Sequence, residues 1–172
     1  MSAHLIKNGQ VVADSWQKIE AALEGERVSV PEGQVLLPVA VWQAQRDVLA
    51  GRAELGELGL WLEPADELSA VADDLGKFAV IAIHFPKFVD GRGYSLARLL
   101  RERYGFTGEI RAVGDVLHDQ LYFMARVGFD AFALRGDKNL DLALSGAFKT
   151  FSNAYQTGVD RPQPLFRRRV SA

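Results

Sequence analysis

Short apolar runs alternate with amphipathic segments along most of the chain. From residue 35 onward, each run of strand length is followed by a stretch with apolar residues at helical spacing. The clearest strand is KFAVIAIHFP, at 77–86, which is apolar on both faces, as expected of a central strand in a parallel sheet. After it, YSLARLLRERYG carries leucines on one stripe and ends at Gly105, which predicts a helix with a glycine cap.

The same pattern predicts the other elements of this region. Predicted strands cover 35–42, 58–64, 77–86, 108–115 and 129–136. Predicted helices cover 43–51, 65–76, 94–105, 115–128 and 139–156. Pro38 within the first strand predicts an edge or irregular segment, because proline cannot donate to a sheet ladder.

The two ends of the chain differ from this alternating part. Residues 4–13 place Asn8-Gly9 between two apolar runs, which predicts a β-hairpin with a type I′ turn. A short helix or loop is predicted for 14–24. We expect one α/β domain over 1–172, with the hairpin and helix in 1–30 and an extended basic tail in 160–172.

Five successive strand–helix units with short connections predict an α/β fold with a mainly parallel sheet. The segments YGFTGEIRAVGDV and VGFDAFALRGDK share an order of Gly-Phe, strand and Gly-Asp, which indicates repeated βα modules. Either a partial TIM-like barrel or an open doubly wound sheet satisfies this pattern.

Composition narrows the classes of function. The chain of 172 residues has a net charge of -2, which gives no overall attraction to nucleic acid or anionic membranes. It has no cysteine and three histidines without metal-ligand spacing, so no metal and no cofactor are expected. Neither a signal peptide nor an apolar run of membrane-spanning length is found, which favours a cytoplasmic location.

Polar residues cluster where three predicted strands end, and sites in parallel α/β folds collect at such ends. The candidate acid–base residues are Asp90, Asp115 and His84. The candidate ligand-binding residues from the same strand ends are Lys87, Arg92, Ser95, Arg135 and Asp137. In DGRGYS, at 90–95, the two glycines would let the backbone approach an anion at the start of a helix.

Each of these residues also has a structural explanation. Asp90 or Ser95 would cap the following helix, with the glycines relieving turn strain, and aspartates after a strand are typical caps. A histidine in an apolar run is typical of a hydrogen-bonded core residue. Several other residues are predicted to be structural or solvated: a solvated helix face for Arg98, Arg101 and Arg103, and core positions for Trp42, Trp61, Phe148, Phe151 and Tyr155.

The segments LGLWLEPADE, FPKFVDGRGYS and EIRAVGDVLHDQL resemble the bacterial DUF934 family over about residues 35–160. The family signature falls on Phe85, Pro86, Phe88, Asp90, Gly91, Arg92, Gly93, Tyr94, Ser95, Arg111, Gly114, Asp115, Asp119, Gln120, Gly128, Phe129 and Asp130. The resemblance assigns no catalytic role to these positions. It adds Tyr94 and Arg111 to the candidate ligand-binding residues.

Genes of this family typically lie beside those for assimilatory sulfite reductase, so the resemblance implies an accessory role in sulfite reduction. We therefore expect a non-catalytic protein that binds the reductase, another sulfur-assimilation enzyme or a small anion. The alternative is a small enzyme, of oxidoreductase or lyase type, acting on an anionic substrate at the strand ends. Binding to nucleic acid through the arginines is disfavoured by the net charge and the lack of a known motif.

Overall fold

A computed structural model describes residues 4–20, 28–136, 139–148, 151 and 153–168. Its strands are β1 (His4–Lys7), β2 (Gln10–Ala13), β3 (Gln17–Lys18), β4 (Val35–Pro38), β5 (Leu58–Leu62), β6 (Val80–Phe85), β7 (Glu109–Gly114) and β8 (Ala131–Phe132). Its α-helices are α1 (Val39–Glu54), α2 (Arg92–Glu102), α3 (Leu121–Val127), α4 (Leu140–Gly146) and α5 (Leu165–Arg168). Two 3₁₀ helices cover Leu68–Lys77 and His118–Gln120.

The strands form one sheet in the order β2-β1-β8-β7-β6-β5-β4-β3. Strands β3 to β8 are parallel and lie side by side in chain order, whereas a doubly wound sheet reverses its order at a switch point. The sheet curls into a half-barrel with the helices packed around it. Of the two predicted arrangements, the partial barrel is therefore the correct one.

The N-terminal hairpin is confirmed and closes one side of the sheet. Asn8 and Gly9 both have positive φ, at 52° and 71°, as a type I′ turn requires. Strand β1 then pairs antiparallel with β8. Of the segment 14–24, predicted as a short helix or loop, residues 14–16 and 19–20 are loop, whereas residues 17–18 form strand β3 beside β4. Residues 21–24 lie outside the described part.

Alternate residues of each strand point to opposite faces of the sheet, and both faces are packed. The outer face, under the helices, carries the larger core, including Leu60, Ile83 and Phe85. The inner face of the half-barrel carries a smaller apolar group that includes Trp61 and Ala82, with Trp16 packed against it. Residues that point inward at the carboxyl ends of the strands therefore lie in the mouth of the half-barrel.

Several predicted elements have other bounds in the structure. Strand 35–42 ends at Pro38 and α1 begins directly after it, since proline lacks the N–H that a further ladder bond would need. The helix predicted at 139–156 ends at Gly146, which leaves Phe151 and Tyr155 exposed rather than in a helix core. The tail predicted as extended contains the one-turn helix α5 in its described part. Trp42 and Trp61 are buried as predicted.

Candidate functional site

The segment 86–91 joins β6 to α2 at the carboxyl edge of the sheet, and we call it the β6–α2 loop. The Phe88 N–H donates to Asp115 Oδ2 at 2.9 Å, and the Phe88 carbonyl accepts from Gln120 Nε2 at 3.2 Å. A bond from the Asp90 N–H to the Lys87 carbonyl closes the turn. Two side chains from the neighbouring β7–α3 connection therefore hold the loop backbone from both sides.

The loop presents apolar side chains to solvent although its backbone is fixed. The Phe88 side chain is 41% exposed and Val89 is 82% exposed. Buried phenylalanine and valine side chains are each worth about 1.5–3 kcal/mol of hydrophobic free energy, so leaving both in water is unfavourable for the isolated chain. Lys87 and Ser95, two candidate ligand-binding residues, are also exposed beside them.

Asp90 and Arg92 pair with each other. Arg92 donates from Nε to Asp90 Oδ1 at 3.0 Å and from Nη2 to Oδ2 at 2.7 Å, and its backbone N–H also reaches Oδ1. The Arg92 side chain is solvent-exposed. The aspartate thus accepts the N–H of the first residue of α2 and neutralises the arginine, whereas the N-cap position itself is Gly91, which has no side-chain cap.

The Asp90–Arg92 pair should make the stability of the protein depend on pH in the acid range. The side chain and backbone N–H of Arg92 lower the pKa of Asp90 from 3.8 to about 2. Because the folded-state pKa is depressed, the pair's contribution to stability is complete above the unfolded value and is lost as the pH falls toward about 2.

We expect Arg92→Gln to return the Asp90 pKa toward 3.8, as followed by carboxyl carbon NMR. At pH 7 the thermal midpoint should stay within about 2 °C, because an exposed pair contributes little; an unchanged Asp90 titration would contradict the pairing.

Gly93 and Tyr94 are explained by packing against β6. A Cβ atom at Gly93 would lie 2.5 Å from Cζ of Phe85, so glycine is needed for the close approach of α2 to the strand. The half-buried Tyr94 ring meets Phe85 edge to face at 5.6 Å between ring centroids. Burial raises the pKa of the Tyr94 hydroxyl. Gly93, one of the two glycines predicted to let the backbone approach an anion, therefore makes room for the Phe85 ring instead.

Asp115 and Arg135, from the ends of β7 and β8, are brought together. Arg135 Nη1 lies 3.0 Å from Asp115 Oδ1, and the other carboxylate oxygen holds the Phe88 N–H. Strands β6, β7 and β8 are neighbours, so the three strand ends that carry the candidate residues lie at one edge of the sheet. No hydrogen bond or ion pair within the described ranges joins this pair to Asp90 and Arg92. Asp137 lies outside the described residues.

Arg111 lies on the inner face of the half-barrel, away from the loop. Its side chain is 3% exposed and donates from Nη1 to Asp14 Oδ1 and from Nε to Glu109 Oε1, both at 2.7 Å. Glu109 also pairs with Lys7 at 2.6 Å. These contacts tie the N-terminal hairpin to β7, so this guanidinium is held by protein carboxylates.

His84 points into the mouth of the half-barrel and contacts a residue that sequence reasoning missed. Its Nδ1 lies 2.8 Å from Glu63 Oε2, and the imidazole packs on Trp61 at 5.2 Å between centroids. The Trp61 Nε1–H donates to the other Glu63 oxygen at 2.7 Å. Partial burial raises the pKa of Glu63, but the hydrogen bonds from His84 and Trp61 and the charges of His84 and Lys18 outweigh it, so this pKa lies below its ordinary value.

Two kinds of feature are absent from the described residues. They contain no group of three or more His, Asp or Glu side chains that could hold a metal ion. Within the same ranges, no helix is long and apolar enough to cross a membrane.

Comparison with protein families gives a match to one family model. The model, described as a bacterial protein of unknown function (DUF934), matches residues 59–166. The match includes all of β5 but its first residue, β6 to β8, the β6–α2 loop, Glu63 and His84. A comparison with curated proteins finds no match. Since the family model covers well over half of the 172 residues, the chain belongs to the DUF934 family.

Proposed function

We propose that this chain is a non-catalytic accessory protein of assimilatory sulfite reduction, acting in the cytoplasm by docking on the reductase through the β6–α2 loop. The observation that carries the proposal is the exposure of Phe88 and Val89 on a backbone held by Asp115 and Gln120. The partner is taken from the gene neighbourhood that the family resemblance implies.

Physical reasons favour docking at this loop. An apolar pair on a fixed backbone loses little conformational freedom on binding, so more of its burial free energy appears as affinity. The adjacent Asp90 and Arg92 supply both signs of charge at the border of the apolar pair. Aromatic anchors with a polar surround are typical of protein–protein contacts.

The charges at the strand ends favour a protein partner over a small anion as the ligand of this loop. Arg92 is paired with Asp90, and Arg135 lies beside Asp115. An anion at either arginine would have to displace, or lie close to, a carboxylate. Like charges at such separations repel, which weakens anion capture.

The test is a calorimetric titration of the purified chain into purified sulfite reductase from the same bacterium. We expect saturable binding that persists at about 0.5 M salt, where the Debye length is only a few ångströms, because the contact is mainly apolar. The heat capacity change of binding should be negative, as apolar burial requires. Absence of binding at about 100 µM of each protein would contradict the proposal, since even weak specific contacts are detectable there.

A further inference from the structure

His84 and Glu63 form a carboxylate–imidazole pair at the ends of two adjacent parallel strands. Glu63 directly follows β5 and His84 is the penultimate residue of β6. The Glu63 backbone N–H donates to Asp66 Oδ2 at 2.7 Å, and its carboxylate is bound by Trp61 and His84. Glu63 is therefore fixed in position, and through Nδ1 it fixes the orientation of the imidazole.

The second ring nitrogen of His84 is left open. Within the described ranges, Nε2 has no hydrogen-bond partner, and the His84 side chain is 27% exposed. On the β7 side, a Cβ atom at position 114 would lie 3.0 Å from Nε2 and 2.7 Å from Cδ2. Glycine at 114, with φ of +99°, therefore adds no side chain against the edge of the imidazole that carries Nε2.

The charges around the imidazole are mixed. Glu63 on β5 binds Nδ1, and Lys18 on β3 places Nζ 4.4 Å from the centroid of the Trp61 ring on which His84 packs. Asp66 is turned to the Glu63 N–H, and Asp115 after β7 is turned to Phe88 and Arg135. Among the described residues, Lys18 lies close enough to offset part of an added negative charge, although it also contacts the exposed Glu20.

We propose that His84 Nε2 is a binding site for a small oxyacid that shares one proton with the imidazole. With Nδ1–H donated to Glu63, neutral His84 offers a lone pair at Nε2, which accepts a hydrogen bond from an acidic O–H. If the proton moves to Nε2, the same bond joins an imidazolium to an oxyanion, and Glu63 balances the ring charge. No other atom changes partner in this transfer. The ligand must be able both to donate its O–H to Nε2 and to release the proton at neutral pH, so the ligand class is oxyacids that ionise near neutral pH. Inorganic phosphate and sulfite are both of this kind.

The site is independent of the docking proposal, because it uses neither the β6–α2 loop nor a partner protein. Its test therefore uses the full chain alone, with nitrogen-15-labelled histidine. The chain has three histidines, and His84→Gln identifies the His84 signals by their loss. The ring nitrogen shifts give the tautomer of His84, and titrations at pH 7 with phosphate, sulfite and sulfate give binding.

We expect neutral His84 to carry its proton on Nδ1, and its signals to shift saturably with phosphate or sulfite while those of His4 and His118 do not. Sulfate, which has the same charge type but no proton to share at pH 7, should bind at least about tenfold more weakly. Lys18→Met should weaken phosphate binding about threefold to tenfold, since one partly exposed charge is lost. His118→Gln, which changes an exposed histidine, should leave the response intact.

Three results would overturn the proposal. The first is a neutral tautomer with its proton on Nε2, which would leave no lone pair for an O–H. The second is a response to sulfate equal to that for phosphate and sulfite, which would indicate an ordinary cationic site. The third is the absence of a saturable shift with both phosphate and sulfite at about 20 mM, beyond which any affinity would be negligible.

Discussion

Replacing Arg111 with methionine should lower the free energy of unfolding by about 3–5 kcal/mol, because it leaves the buried Asp14 carboxylate without its cation and Glu109 with Lys7 alone. Asp14 and Glu109 are both buried and each binds one side of the guanidinium. Domains of this size unfold with about 5–15 kcal/mol, so a large fraction of the total would be lost. The expected fall in the thermal midpoint is about 10 °C, measured by calorimetry.

Arg98→Met is the matched control for this change. Arg98 on α2 pairs with Glu102 at 2.9 Å, but both side chains are at least half exposed. Its loss should cost no more than about 0.5 kcal/mol. If the two variants unfold with the same midpoint, the ion pairs of Arg111 do not hold the hairpin to β7. An Arg111→Met, Asp14→Leu double variant should recover part of the loss, because the unpaired carboxylate is removed as well.

The sequence predicted the parallel core of the fold because its signals are local. The apolar run 77–86 gave a strand that lies between β5 and β7, as a run apolar on both faces requires. Asn8-Gly9 gave the hairpin because few residues adopt positive φ at both central turn positions. The choice between a half-barrel and a doubly wound sheet was not accessible, since it depends on the face of the sheet to which each helix turns.

Contacts between distant elements limited the prediction of side-chain roles. Arg101 was expected on a solvated face beside Arg98, yet it donates to the carbonyls of Gly128 and Phe106 and pairs with Asp130. Nothing in the α2 sequence separates these two arginines, because the distinction comes from the α3–β8 turn. That turn requires glycine at 128, where φ is +112° and a Cβ atom would lie 2.5 Å from Arg101 Cγ.

Glu63 was missed although one signal was present. It directly follows β5, and His84 lies near the end of the next strand in the sequence. Residues at the carboxyl ends of adjacent parallel strands meet, so the strand-end argument that selected Asp115 and Arg135 applies equally to this pair.

The largest effect on function is expected when the apolar side chains of the β6–α2 loop are removed. The Phe88→Ser, Val89→Ser double variant should weaken binding to sulfite reductase by about 2–4 kcal/mol, or roughly 30-fold to 1,000-fold in Kd. Its thermal midpoint should be unchanged or slightly higher, because the two side chains are exposed and the loop is held by backbone bonds. Both quantities are measured on the same preparation, by titration calorimetry and thermal unfolding.

Leu55→Ser is the control for this variant. Leu55 is 78% exposed and lies after α1, just before β5 begins, and therefore at the opposite end of the parallel strands from the loop. It should bind the reductase with unchanged affinity. Equal weakening by both variants would mean that binding follows general surface hydrophobicity rather than the loop.

Hydrogen exchange of the chain, with and without saturating sulfite reductase, tests the central claim most directly. Backbone amides of 87–92 should exchange more slowly in the complex, because the loop becomes covered, while amides at 55–57 should exchange at unchanged rates. Protection elsewhere on the chain with none at 87–92, or no protection anywhere at saturation, would contradict docking through the β6–α2 loop.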